Sequence, residues 1–478
     1  MPNLKNDALI NKQIKLYVYL IIVLCKDINM CLVGDQIIKH KFLYILLIIG
    51  FFEIHASENV QFSYLSYISS SGNIESEYPN TLRLNSNPNR ALTKSISEIL
   101  KADDQRIYNL FFGNMDSSNT GSLSLVIAID KERIYSFKFN NKCLSSYFIS
   151  TQTILFDPRD QKILSVYPNA SRRMYIDPLQ EDCSQRNSTL DFIRFSEFYL
   201  GIELSKDQVT KNLKLSDSEI ISNLLSVSLS KEDGLPPIQE SFVIKPVVSY
   251  INKINPYKLK YADNNVGINI IDIPKDSFLF FNGESFNKPN KYFMKGDTFS
   301  NKEYKNWLGQ QFVKWFSDNY SYPVVPYSEG EALGKQVNLK FADRDELLNL
   351  TLPPLDYAFN LAIKPHKKVL IKENAGIKAY AYASYIDLSF ITMDGSPTGI
   401  NHFTHSIKNG LVEKVVGDDE TDDWENFNNS TNELLLKYID NLSKKDKKYI
   451  KNFVSVDSKK FKKDINYLTK TIGIEYEN

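Results

Sequence analysis

Two stretches with a period of two residues predict paired β-strands between positions 123 and 139. Their apolar members are Leu123, Leu125, Ile127, Ile129, Tyr135, Phe137 and Phe139. The charged segment Asp130–Arg133 separates the two stretches, so we predict a hairpin with this segment at its tip. Further strands are predicted at Tyr147–Phe156 and Lys162–Tyr167, joined by a type I turn at Asp157–Asp160. The pattern predicts a four-stranded antiparallel meander.

Apolar residues three and four positions apart predict helices that cover this sheet, at Leu92–Lys101, Leu190–Leu200 and Ser216–Leu229. The preceding residues 57–90 are polar and rich in Ser, Asn and Pro, which is typical of an extended lead-in. A sheet followed by covering helices, without regular strand–helix alternation, indicates an α+β fold.

The second half of the chain begins with short β-like runs. They are Phe242–Val248, Val266–Ile273 and Ser277–Phe281. The clearest helix follows at Lys302–Asn319, and its aromatic residues share one face that we expect to pack on a sheet.

Period-two patterns return after this helix. The predicted strands contain Phe359–Ile363 and Ile377–Phe390, and the turn Asp394-Gly395 leads into a strand at Gly399–Ile407. Helices are predicted at Asn432–Leu442 and Lys445–Val454. This order of strands, turn, loop and helix repeats that of the first half, so we expect tandem α+β domains, each an antiparallel meander covered by helices. The repeated order is either the result of an internal duplication or a coincidence, since the two halves share almost no identical residues.

The domain boundary is predicted at Gly234–Pro237, because two prolines after a glycine interrupt helix and central strand alike. The predicted organisation is a leader at 1–56, a lead-in at 57–90 and domains at 91–234 and 235–478.

The leader contains the pattern of a secretory signal. Lys39-His40-Lys41 precedes the apolar run Phe42–Phe52, and the small residues Ala56-Ser57 follow. Eleven residues rise only about 16 Å as a helix, too little to span a bilayer core of about 30 Å. An earlier apolar run, Leu16–Cys25, is either a further membrane segment or the result of a true start near Met30. We therefore expect a periplasmic or secreted protein.

Charge and motifs exclude several classes of function. The 57 basic and 57 acidic residues cancel, which argues against a dedicated nucleic-acid-binding protein. No Gly-x-Gly-x-x-Gly or Gly-x-x-x-x-Gly-Lys sequence occurs, so we expect no nucleotide cofactor. One basic cluster stands out near the C-terminus, at Lys444, Lys445, Lys447, Lys448, Lys451, Lys459, Lys460, Lys462 and Lys463. It is either a solvated helix face or a weak contact for anionic membranes through its first four members.

His402 and His405 are the candidate catalytic or metal-ligating residues. On a helix this spacing would let them share a metal ion, whereas on a regular strand they would point to opposite faces. We predict a strand here and hence no metal site. The serine nucleophile motif Gly-x-Ser-x-Gly does not occur in the sequence.

Cys143 and Cys183 are the cysteines that follow the leader. In an oxidising compartment we expect them to form a disulfide, with two buried thiols as the alternative. Taken together, these patterns predict an exported, non-enzymatic binding or assembly module of the cell envelope whose partner is another envelope protein. The alternative is a secreted hydrolase that uses His402 or His405, with or without a metal ion.

Overall fold

A computed structural model describes residues 58–68, 73–86, 90–102, 106–112, 122–139, 142–177, 187–228, 238, 241–260, 264–274, 301–320, 322, 324–327, 336–341, 347–395, 398–416 and 423–473. Helices and strands form a mixed α+β fold with two mixed sheets, which confirms the predicted fold class. The predicted all-antiparallel pairing is wrong, because both sheets also contain parallel pairs.

The strands, numbered in chain order, are β1 (Asn59–Ile68), β2 (Asn109–Phe112), β3 (Leu123–Phe139), β4 (Lys142–Asp157), β5 (Lys162–Asp177), β6 (Val266–Asp272), β7 (Val324–Val325), β8 (Gln336–Phe341), β9 (Leu347–Thr351), β10 (Tyr357–Ile363), β11 (Lys367–Asn374), β12 (Ile377–Thr392) and β13 (Ile400–Val416). The helices are α1 (Ile74–Glu77), α2 (Pro79–Ser86), α3 (Ala91–Ala102), α4 (Ser188–Leu200), α5 (Lys206–Asn212), α6 (Asp217–Ser228), α7 (Ile244–Lys253), α8 (Pro256–Lys260), α9 (Asn301–Tyr320), α10 (Asp423–Lys444), α11 (Lys447–Phe453) and α12 (Ser458–Ile472).

The first sheet has the strand order β2-β1-β3-β4-β5-β9-β8, and β8 also pairs with β1. Six of its strands therefore close into a ring, with β2 added outside it. Apolar side chains from β3, β4, β5, β8 and β9 form one buried cluster that includes Val126, Phe156 and Leu339. A separate and larger cluster lies between the other face of the sheet and helices α2 to α7. Both faces of the first sheet thus contribute to a buried apolar cluster.

The predicted hairpin between positions 123 and 139 is wrong. β3 is one continuous strand that pairs with β4 along its length, with an irregularity between Ile129 and Lys131. The charges do not mark a turn, because Asp130 accepts a hydrogen bond from Ser150 and Glu132 accepts bonds from the start of α2. Charged residues with such buried partners occur inside strands as well as in turns.

The predicted extended lead-in is also wrong, since residues 59–68 form β1 in the first sheet. Val60, Phe62, Leu65 and Tyr67 are buried. Buried serines separate them, which made the segment look polar. Similarly, Phe242–Val248 is not a strand: α7 begins at Ile244 and buries one apolar face.

The second sheet has the order β11-β12-β10-β6-β7, and β13 pairs with the other edge of β12. β10 and β11 pair with successive parts of the same edge of β12, and β13 pairs with the other edge. These four strands build a long antiparallel meander that is three strands wide. Its turn at residues 374–377 contains Ala375 and Gly376, both with positive φ. The predicted strands Phe359–Ile363 and Ile377–Phe390 and the reversal after Asp394-Gly395 are confirmed.

Helices α9, α10, α11 and α12 cover one face of this meander. The prediction for α9 is confirmed: Tyr304, Phe312 and Phe316 are fully buried, and Phe312 and Phe316 contact Phe359 of β10. The same helix also contacts the first sheet, where the Lys314 ammonium lies 5.7 Å from the centre of the Tyr167 ring. α9 therefore packs against both sheets.

Strands β8 and β9 come from the second predicted domain but belong to the first sheet. The described residues between 58 and 473 belong to a single compact unit, and the predicted linker Gly234–Pro237 lies outside the described residues. The division into two domains and the internal duplication stay predictions. The leader with its signal pattern and the strand Ser277–Phe281 also lie outside the described residues.

Candidate functional site

A β-bulge at His402 changes the expected directions of the two histidines. In the pairing of β12 with β13, Phe390 is opposite Phe403 and Ile391 is opposite Asn401, so His402 is the extra residue. Both imidazoles contact α12 as a result: His402 through Tyr467, and His405 through Asp464. The prediction that the side chains point to opposite faces is wrong, because it assumed an uninterrupted alternation.

His405 is fully buried and hydrogen-bonded through both ring nitrogens. Its Nδ1 lies 2.8 Å from the hydroxyl of Tyr438 on α10, and its Nε2 lies 3.1 Å from Oδ2 of Asp464 on α12. The ring stacks between Phe403 and Phe461. Burial lowers the pKa of His405, although Asp464 opposes this effect. A neutral ring that donates to Asp464 and accepts from Tyr438 satisfies all three groups, so this network joins α10 and α12 to β13.

His402 is exposed and lies at the rim of an aromatic cluster. Its Nε2 is 2.5 Å from Oγ1 of Thr392 and 3.2 Å from the hydroxyl of Tyr467. Its ring centre is 4.7 Å from that of Tyr467 and 6.1 Å from that of Phe390. In the described part of the chain, no carboxylate is hydrogen-bonded to His402. These residues therefore do not supply the acid that orients the histidine in a catalytic triad.

His366 was not a candidate in the sequence, yet it is buried on the same side of the meander. Its ring stacks on Phe427 of α10 at 4.4 Å, and its Nδ1 lies 3.4 Å from the hydroxyl oxygen of Ser384. Burial lowers the pKa of His366 to about 4. The sequence contains no signal for this placement, because Pro365-His366 sits between two strands.

The opposite side of the meander carries a surface that sequence reasoning missed, and we call it the lysine face. Cross-strand partners point to the same side of a sheet. The pairing of β11, β12 and β13 therefore places these residues together: Lys367, Val369, Lys372, Ala379, Ala381, Ala383, Lys408, Val412 and Lys414. Val369 is 56% exposed and Val412 is 58% exposed. None of the described helices covers these two valines.

A groove of about 520 Å³ adjoins the lysine face. It is lined by Lys364, Pro365, Lys367, Tyr385, Asp387, Ser406, Ile407, Lys408 and Ser455. The Lys364 ammonium lies 2.7 Å from Asp387, and Lys367 lies 5.8 Å from the centre of the Tyr385 ring. Lys408 is directly opposite Tyr385 across the β12–β13 pair. Three lysines thus surround one tyrosine and one carboxylate.

The predicted basic cluster lies on α10, α11, α12 and their connections. Carboxylates neutralise part of it: Lys444 lies 2.7 Å from Asp440, and Lys460 lies 2.6 Å from Asp464. Tyr449 and Ile450 are buried beneath it. These features fit a solvated helix face whose apolar side packs inward.

The described residues also bear on the predicted metal site, membrane segment and disulfide. These residues contain no group of three or more His, Cys, Asp or Glu side chains that could hold a metal ion. They also contain no helix long and apolar enough to cross a membrane. Cys183 lies outside the described residues, as does the side chain of Cys143, so the disulfide stays a prediction.

Comparison with known proteins assigns no family to this chain, and its fold class rests on the structure described above. No family model matches it, and no curated protein matches it. Among solved structures it is similar to a hypothetical protein from Chlamydia trachomatis determined at 1.65 Å resolution. The sequences are 14% identical over 36% of this chain and 95% of that chain, with a TM-score of 0.16.

Proposed function

We propose that this chain is an exported binding or assembly module of the cell envelope that acts by protein–protein contact through the lysine face. The observation that carries the proposal is the exposure of Val369 and Val412 on one face of the sheet, on either side of Ala381. Exposed aliphatic side chains that share one face of a sheet favour association with a partner.

The strand context strengthens this proposal. Seven of the eight residues of β11 are exposed, among them Leu370 and Ile371, whereas the neighbouring β10 is largely buried. An exposed strand with aliphatic side chains is a liability for a protein that has no partner for it. A binding function explains why such a strand is retained.

The hydrolase alternative has less support. His405 is fully buried and bonded at both nitrogens, so a substrate cannot reach it without opening the helix layer. His402 is accessible and contacts the Thr392 hydroxyl, but the described residues give it no orienting carboxylate. General acid–base catalysis by either histidine therefore lacks a complete set of groups.

Site-specific photo-cross-linking in the native cells tests the binding proposal. A photoreactive residue at Val412 should give an adduct with one protein of the envelope fraction, and the same residue at Val369 should give the same adduct. Met174 is a matched control because it is 53% exposed on a strand of the first sheet. No adduct from Val412 and Val369, or the same set of adducts from Met174, would contradict the proposal.

Export is tested separately by N-terminal sequencing of the protein from fractionated cells. We expect a mature N-terminus near Ala56-Ser57 in the periplasmic or extracellular fraction. Recovery from the cytosol with an uncleaved leader would contradict export while leaving the cross-linking result to stand by itself.

A further inference from the structure

We propose that the occupant of the lysine face is an amphipathic α-helix of a partner protein, with an apolar stripe flanked by acidic residues. This inference rests on the binding function proposed above and names the partner's chemistry. It follows from the spacing of lysines and valines across three paired strands.

The lysines form two columns separated by β12. Lys367 and Lys372 lie on β11, and Lys408 and Lys414 lie on β13. Strands are about 4.8 Å apart, so the two columns stand roughly 10 Å from each other. An α-helix with its side chains is about 10–12 Å wide. A helix lying along β12 would therefore place its two flanks over the two lysine columns.

The centre between the columns is apolar. The alanines of β12 are flanked by Val369 on one side and Val412 on the other, in register with Ala381. Small side chains in the middle let a helix approach the sheet. The two valines lie at the edges of the apolar strip on which the helix would rest. From Lys408 to Lys414 the strand rises about 20 Å, which is the length of roughly four helical turns.

The charge of this surface selects an acidic partner. Asp387 is the carboxylate beside the lysine face, and Lys364 binds it at 2.7 Å. Among the residues that the structure describes, no carboxylate lies within ion-pair distance of Lys367, Lys372, Lys408 or Lys414. Carboxylates on both flanks of a docked helix would complement these four ammonium groups.

An anionic membrane is a different class of partner, and the arrangement favours it less. A bilayer presents a continuous anionic plane and gains nothing from an apolar strip that divides two lysine columns. A helix flanked by acids matches both the strip and the columns. The two partners also differ in their need for the valines, since a helix buries them and a headgroup layer does not.

The test uses the full chain and a synthetic helical peptide of about 16 residues, with a leucine stripe and glutamates on both flanks. A peptide with lysines in place of the glutamates is the charge control. We expect the glutamate peptide to bind, with affinity that falls as salt rises, and the lysine peptide not to bind. Fluorescence anisotropy or calorimetry measures both.

Two variants with equal change in charge localise the binding. Lys367→Glu with Lys408→Glu should weaken binding of the glutamate peptide roughly tenfold. Lys459→Glu with Lys463→Glu, at exposed positions of α12, should leave it unchanged within about twofold. Val369→Ser with Val412→Ser should also weaken binding, and far-UV circular dichroism confirms that each variant is folded.

Several results would overturn this inference. Equal binding of the two peptides, or equal weakening by both charge variants, would mean non-specific attraction. Binding of phosphatidylglycerol vesicles through Lys367 and Lys408, without binding of the glutamate peptide, would make the partner a membrane. If Val412 cross-links to a protein through a non-helical or non-acidic segment, the binding function stands and this inference fails.

Discussion

The carboxylate of Glu132 on β3 accepts two hydrogen bonds from Thr81 in the first turn of α2, one from its backbone N–H at 2.8 Å and one from its hydroxyl at 2.6 Å. Asn80 donates two more, from its backbone at 2.9 Å and from its side chain at 2.8 Å. The first N–H groups of a helix have no acceptor within the helix. A side chain from the sheet thus caps α2 and fixes its position.

We expect Glu132→Ala to lower the free energy of unfolding by about 3 kcal/mol, because buried donors at the start of α2 lose their acceptor. Urea denaturation measures this loss, and hydrogen exchange at Asn80 and Thr81 should become faster. Glu98→Ala is the control, because Glu98 is exposed on α3 and its removal should change stability by less than about 0.5 kcal/mol. Equal losses in both variants would contradict the capping role.

His366 makes stability depend on pH. Its pKa is lowered to about 4 in the folded protein by burial, whereas it is about 6.5 in the unfolded chain. As the pH falls, the unfolded state therefore binds the proton before the folded state does. The stabilisation of the folded protein that comes from this difference is complete above pH 6.5 and is lost as the pH falls toward 4. When the pH is lowered from 7 to 4.5, we expect the titration of His366 to lower the free energy of unfolding by about 2–3 kcal/mol.

The variant His366→Phe isolates this effect, because phenylalanine keeps the stack on Phe427 and takes up no proton. Its free energy of unfolding should fall less than that of the wild type between these two pH values. Other buried groups titrate in both proteins, and they cancel in the difference. Parallel pH profiles for the two proteins would show that His366 titrates normally.

Gly399 and Gly376 are two glycines with positive φ at which the cost of adding a Cβ can be compared. Both have positive φ, 62° and 76°, but a Cβ on Gly399 would lie 2.5 Å from the carbonyl oxygen of Thr392, whereas a Cβ on Gly376 would meet nothing within 4 Å. We expect Gly376→Ala to cost about 1 kcal/mol of stability. Gly399→Ala should cost more than twice as much, because the backbone of β12 must move. Thermal or urea unfolding of both variants compares these costs.

The predicted bond between Cys143 and Cys183 is tested by mass spectrometry of the unreduced protein. A disulfide lowers the mass by two hydrogens and leaves no thiol for alkylation in denaturant. Closing this loop should stabilise the fold by roughly 4 kcal/mol in the chain-entropy model. Two thiols that are labelled without reductant would contradict both the bond and the oxidising compartment.

The sequence predicts the helices and strands of this fold well wherever one spacing of apolar residues dominates a segment. The aromatic face of α9 and the long alternation of β12 predicted their elements closely. β1 was missed because buried serines interrupt its apolar pattern, and β3 was divided because Asp130 and Glu132 looked like a turn. In both cases distant partners satisfy polar groups, and local sequence cannot show such partners.

The candidate site was less accessible, because it depends on pairing register. The two histidines were visible, but the bulge at His402 that turns both toward α12 was not. The lysine face was invisible for the same reason, since its members come from three strands and only the register of β11, β12 and β13 brings them together. A shift of one residue would move every side chain to the other side.

The closure of the first sheet by β8 and β9 governs the order in which the molecule can be completed. Strand β5 ends at Asp177 and its partner β9 begins at Leu347, 170 residues later. Strand β1 ends at Ile68 and its partner β8 begins at Gln336, 268 residues later, so both strands keep an edge unpaired until these distant segments have been made. Until then, the side chains that Leu339 and Leu350 cover remain open to water and to other chains. A chain cut short before residue 336 would therefore be prone to aggregation, however well its own strands pair.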